Sequence, residues 1–242
     1  QALNANTTAN NNVAVGFNSL LVNTTGAFNV AVGSTALDAN TTGSNNNAFG
    51  YSALTENTTA THNNAFGTLA LDACTTGGSN VGIGSNALGA LTTASNNVAI
   101  GYNAGGNATT ALTDSVFVGY QAGSSGTQGT ANVGVGYNAL YTNTGANNTG
   151  VGYNALFANT SGTANAAFGT FSLDANTTGS SNTAFGYGTL TGCEAAEENT
   201  AVGRNAGLSI TSGDNNVAIG ARALDANTSA SGNTAVGKDA LT

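Results

Sequence analysis

The sequence predicts an all-β rod, a parallel β-solenoid of 14 coils of about 17 residues each. Three observations carry this prediction. The first is a short motif, Asn-x-Ala-(Val/Ile/Phe)-Gly, that recurs along the whole chain. Its glycines are Gly16, Gly33, Gly50, Gly67, Gly84, Gly101, Gly119, Gly136, Gly152, Gly169, Gly186, Gly203, Gly220 and Gly237. The spacing is 17 throughout, except for 18 before Gly119 and 16 before Gly152. The second is the coil length. It is too short for a helix pair or a strand–helix repeat, which take about 20 to 45 residues, and it suits two short strands and two turns. The third is composition. With 35 Gly and abundant Asn and Thr, helix is disfavoured, and the absence of Pro suits uninterrupted ladders.

Each position of the repeat then has an expected role. The residue before the glycine is large and apolar in every coil: Val15, Val32, Phe49, Phe66, Ile83, Ile100, Val118, Val135, Val151, Phe168, Phe185, Val202, Ile219 and Val236. So strict a column is expected to be the core. The residue two before is small, as in Ala14, Ala31, Ala48 and Gly82, with Phe117 the sole exception. Persistent small residues suggest a close neighbour against that face. Another chain is preferred for it over the opposite wall of a thin roll, because oligomerisation would offset the small interior. After the glycine come a second small column, mostly Ala, and a Leu column that is replaced at Gly105, Gly123 and Gly207. A turn such as Asn23 to Gly26 closes the coil. Stacked turn asparagines are expected to pair their amides along the rod. At about 4.8 Å per coil the rod is on the order of 65 Å long. Residues 1–242 read as one continuous repeat domain, a piece of a longer fibre chain.

Charge excludes several functions. The net charge is −8, and the only cations are Arg204, Arg222 and Lys238. A nucleic-acid surface needs clustered Lys and Arg, so no nucleic-acid partner is expected. No apolar run is long enough for a membrane-spanning helix, so no membrane insertion is expected of this segment.

Residues that could carry chemistry have simpler readings. His62, the single histidine, lies in a turn and reads as solvated. Asp38, Asp72, Asp174 and Asp225 share the column five after the glycine and read as exposed turn acids rather than a glycosidase pair. Glu194, Glu197 and Glu198 cluster in one turn and read as a solvated loop, not a Ca2+ site. The glycines lack the helix and Lys of a phosphate loop. Cys74 and Cys193 stand where Asn is common, seven coils apart, and read as small buried thiols. The sequons at Asn6, Asn23, Asn40, Asn57, Asn159, Asn176 and Asn227 fall in phase and read as by-products of the repeat. No catalytic, cofactor-binding or metal-binding residue is expected, and no enzyme. The one candidate ligand-contact column is aromatic and directly follows the glycine: Tyr51, Tyr102, Tyr120, Tyr137, Tyr153 and Tyr187. Its plainer reading is packing between chains or over the Leu column.

The segments Asn12-Val13-Ala14-Val15-Gly16, Asn97-Val98-Ala99-Ile100-Gly101 and Asn216-Val217-Ala218-Ile219-Gly220 resemble the head repeat of YadA-like trimeric autotransporter adhesins. The longer form, Asn148-Thr149-Gly150-Val151-Gly152-Tyr153-Asn154-Ala155-Leu156, is similar to repeats of phage tail-fibre-like and bacterial surface proteins. The departure is coil length, 17 residues here against about 14, with the addition on the Asn-Thr-Thr-Gly side. The resemblance implies a left-handed roll, a homotrimer and an extracellular place on a cell surface or virion fibre. It further implies a structural or adhesive segment that projects toward, or contacts, a host glycan or protein receptor. The alternative is a monomeric solenoid that binds a periodic surface such as ice or polysaccharide.

Overall fold

A computed structural model describes residues 1–109 and 112–242. These form two compact units, Gln1–Gln121 and Ala122–Thr242. Each is a parallel β-solenoid, with no helix among the described residues. In the first unit the strands are β1 (Val13–Val15), β2 (Val30–Val32), β3 (Asn47–Phe49), β4 (Asn64–Phe66), β5 (Val81–Ile83), β6 (Val98–Ile100) and β7 (Val116–Val118). In the second they are β8 (Val133–Val135), β9 (Thr149–Val151), β10 (Ala166–Phe168), β11 (Thr183–Phe185), β12 (Thr200–Val202), β13 (Val217–Ile219) and β14 (Thr234–Val236). Within each unit every strand pairs in parallel with the next, like on like: Val13 faces Val30, and Ala201 faces Ala218.

The motif asparagine, four residues before the glycine, holds successive coils together. Its side-chain oxygen accepts the backbone N–H of the matching residue one coil on, as Asn29 Oδ1 does from Asn46 N at 2.9 Å. Its amide donates to a carbonyl of that coil's turn, as Asn29 Nδ2 does to Gly43 O at 2.8 Å. The same pair of bonds recurs at Asn46, Asn63 and Asn80 and, in the second unit, at Asn148, Asn165 and Asn182. These amides are fully buried, so a lost partner would cost about 1–3 kcal/mol each.

A second amide ladder runs through the turn, with Asn23 donating to Asn6, Asn40 to Asn23 and Asn57 to Asn40. It ends at Cys74, whose thiol turns to Gly77 O at 3.2 Å. A thiol has one proton, so Asn57 Oδ1 is left buried without a donor. Leu91 then continues the column as core. The second unit follows the same order, with Asn143, Asn159 and Asn176 as rungs, then Cys193 and the buried Ile210, but there the thiol also reaches Asn176 Oδ1, at 3.9 Å.

Two expectations are corrected here. Each coil forms one strand of three residues rather than two strands. The segment after the glycine cannot extend, because its second and fourth residues are left-handed: Thr35 and Leu37 have φ 56° and 52°, Ser52 and Leu54 both 53°. A left-handed Leu costs about 1–2 kcal/mol, and burying its side chain returns about 1.5–3 kcal/mol. Leu20, Leu37, Leu54, Leu71 and Leu88 are all fully buried.

The second correction concerns the core. Val15, Val32, Phe49, Phe66, Ile83, Ile100, Val118, Val135, Val151, Phe168, Phe185, Val202, Ile219 and Val236 do not line the interior; they are half-exposed or exposed. The strand buries its middle residue instead, Ala31, Ala48, Ala65 and their equivalents. Successive strand residues point to opposite faces, so only one of the two columns can face inward. The Leu column already fills the narrow interior, leaving room there for Ala alone: a Cβ built on Gly82 would lie 3.2 Å from Leu71 Cγ. The small columns therefore pack inside their own coil, not against another chain.

The exception proves this packing. Gly105 takes the place of Leu, and Phe117 the place of Ala, within the same coil. Phe117 is fully buried, and its ring carbon lies 3.5 Å from where a Gly105 Cβ would sit. Phe117→Ala is expected to lower stability by about 3–5 kcal/mol in chemical denaturation. Gly105 already has the Leu backbone conformation, φ 58° against 53° at Leu88. The double variant Gly105→Leu/Phe117→Ala should therefore recover a large part of that loss.

Candidate functional site

Among the described residues there is no pocket, and the features described below lie on the surface. The most extensive surface feature is the outer face of the strands. In the first unit it presents Phe66, Ile83 and Ile100, each close to 38% exposed. In the second it presents Phe168, Phe185, Val202 and Ile219. Phe49 and Phe66 stack at 4.8 Å, one coil apart. This is an apolar stripe carried by a parallel sheet. Parallel sheets are found almost only with both faces covered.

The tyrosine column lies on the far side of the glycine corner. Tyr51, Tyr102, Tyr120, Tyr137, Tyr153 and Tyr187 are all exposed. Within each unit one pair on adjacent coils stacks flat: Tyr102 on Tyr120 at 5.3 Å, and Tyr137 on Tyr153 at 5.1 Å. Rings in such a ladder turn their faces to one another and their edges and hydroxyls to water. The sequence reading missed the aromatics that complete this surface. Phe171, two after its glycine, meets Tyr153 and Tyr187 nearly at right angles. Tyr141 stacks on Phe157 at 5.3 Å. The legible signal was local density, because half of the chain's 7 Tyr and 9 Phe lie between Tyr137 and Tyr187.

The remaining candidates stay apart from these surfaces or from each other. His62 is exposed in its turn. Glu194, Glu197 and Glu198 are exposed, and Asp214 Oδ1 accepts from the Glu197 backbone N–H. Among the described residues no group of three His, Cys, Asp or Glu side chains could hold a metal ion. Cys74 and Cys193 are free and fully buried, and burial pushes both thiols up to about 11, so neither supplies a thiolate. The sequon asparagines Asn23, Asn40, Asn57, Asn159 and Asn176 are fully buried in the turn ladder, out of reach of a glycan donor in the folded chain. The adjacent threonines divide their roles. Thr24, Thr41, Thr58 and Thr75 donate their hydroxyls to the next coil, while Thr25, Thr42, Thr59 and Thr76 stay exposed.

The aspartate column departs from expectation. Asp38, Asp72 and Asp174 are half-buried rather than fully exposed, and Oδ1 of Asp38 and of Asp174 has no hydrogen-bond partner. Burial holds all three above the ordinary carboxyl value of 3.8, with Glu56 adding repulsion at Asp38 and Asp72.

The fold and surface define a class, the parallel β-solenoid repeat proteins, with an apolar stripe and an aromatic corner in place of a pocket. Comparison with protein-family models, with curated proteins and with solved structures finds no match for this chain. Among the described residues no helix is long and apolar enough to cross a membrane.

An acid that ionises less readily folded than unfolded contributes stability below its unfolded value, and that contribution is lost as pH rises through the folded value. Asp38→Asn and Asp174→Asn are thus expected to raise the thermal midpoint at neutral pH. The gain should vanish below about pH 3, where the parent carboxyls are protonated in both states.

Proposed function

We propose that this chain is a segment of an extracellular homotrimeric fibre, either a bacterial surface adhesin or a phage tail fibre. It would project toward, or contact, a host or surface ligand, without catalysis. One observation carries the reading: the outer face of each parallel ladder is an apolar stripe of Val, Ile and Phe on successive coils. A stripe of this kind is a liability for a lone rod in water. Copies of the same chain would cover it coil for coil, because each coil offers the same residue at the same height. The interface is thus assigned to the large column rather than to the small one.

The number three, and the extracellular setting, come from the resemblance of the Asn-Val-Ala-Ile-Gly segments to trimeric autotransporter head repeats. The net charge of −8 supports a shaft that stays soluble once its uncharged stripe is covered. The mechanism is mechanical. Within each unit, buried amide bonds between coils resist bending and local opening, and the covered stripe would bind three chains into one.

Sedimentation of the segment tests the reading. The expected mass is three times the 23.4 kDa of one chain. Ile100→Glu with Ile219→Glu should bring it to one, with the β-rich circular dichroism retained. A parent that sediments as one chain would sink the trimeric fibre. It would favour the monomeric solenoid that binds ice or polysaccharide, for which Thr25, Thr42, Thr59 and Thr76 offer exposed residues on successive coils.

A further inference from the structure

We infer that the corner formed by Tyr153, Phe171 and Tyr187 is a binding platform for a neutral polysaccharide. The inference rests on the reading of the chain as a surface-contacting segment, not on the number of chains in the fibre. It starts from ring orientation. Tyr137 and Tyr153 lie one coil apart with planes within 9° of parallel, so their rings lie across the stacking direction. Phe171 stands one coil further on, at 80° to Tyr153 and 86° to Tyr187. Its plane therefore runs along the stacking direction. A ring in the flat ladder has its faces turned to the rungs beside it. A ring turned through a right angle directs its faces sideways.

Phe171 occupies the left-handed position that every coil has two after its glycine, with φ 55°, a place that bulky side chains seldom take. Neither neighbour in its own column is aromatic, being Asn154 on one side and Gly188 on the other. The ring is only half-buried, so it is not a core residue that strayed outward.

The chemistry around the ring suits a sugar. Carbohydrate rings present apolar C–H faces and hydroxyl rims. An aromatic face takes the first, and the flanking tyrosine hydroxyls can bond the second. Tyr153 and Tyr187 are 46% and 55% exposed, so both hydroxyls are in reach of solvent. They stand two coils apart, about 10 Å, a span on the scale of two sugar units. Charge narrows the class. No charged residue occurs from Ser115 to Leu173, and the chain as a whole carries −8. Nothing there would repay desolvation of an anionic glycan except Arg204, which follows Tyr187 in its column. The stacked pair Tyr102–Tyr120, in the other unit, lacks a turned ring and serves as the internal control.

The test is titration of the whole segment with cellohexaose and chitohexaose, followed by calorimetry or by NMR of the aromatic signals. An α-2,8-linked sialic acid oligomer is the anionic comparison. Saturable binding of a neutral hexaose is expected, weakened at least tenfold by Phe171→Ala and by Tyr153→Ala, with Tyr102→Ala unchanged. Phe171→Tyr should retain most of the affinity. Circular dichroism and sedimented mass of every variant should match the parent. The inference is overturned if neither neutral hexaose binds at millimolar concentration, if only the sialic acid oligomer binds, or if Phe171→Ala and Tyr102→Ala weaken binding equally. Sedimentation reports on the fibre separately, so a single-chain mass with Phe171-dependent binding would remove the trimer and leave the platform.

Discussion

The structure depends on one hydrogen-bonding arrangement, the buried asparagine that bonds the next coil through both ends of its amide. A coil of 17 residues has little interior, and its apolar contents are mostly Ala and a single Leu. So small a core would not hold an isolated turn of chain. The amides change the balance because they repeat. Each coil that is laid down satisfies the polar groups of the coil before it, and a coil that opens exposes two sets. Stability of this kind belongs to neighbours rather than to any one repeat.

Backbone strain follows from the same arrangement. Every full coil has left-handed residues two and four after its glycine, and most of them are not glycine. The Leu among them is the clearest case, since its conformation is unfavourable but its burial requires it. The motif glycine marks the limit of what side chains can tolerate. At Gly33, φ is 141°, and a Cβ would lie 2.2 Å from the Gly50 carbonyl oxygen. There the next coil sits too close for any side chain.

With Leu and Ala inside, the large strand residues must face out. This ordering links packing to function. The apolar stripe is the consequence of an interior already full, and it gives the chain a surface that like chains can cover. The aromatic corner is a different feature. It is confined to a few coils of the second unit, and it breaks the like-on-like stacking that the rest of the repeat enforces. A local departure from a repeat is where specificity can reside, because the uniform coils offer every ligand the same surface.

The fold class, coil length, glycine corners, amide ladders and buried thiols were legible in the sequence by itself. They are columns, and a column of identical residues at fixed spacing admits few stacking geometries. The face of the strand was not legible. Val-Ala-Val at Val13–Val15 alternates whichever way it turns, and large residues usually mark the inside. Only the tertiary structure showed that Leu20 and its equivalents occupy the interior first, through a left-handed backbone that no propensity would assign to Leu. Phe171 was illegible for a related reason. Its column holds Asn, Ser, Thr, Leu and Gly in other coils, and only the angle between rings on adjacent coils set it apart. Periodicity determines what stacks on what. The sense in which a short strand faces, and the tilt of one ring, are decided by volume and contact in three dimensions.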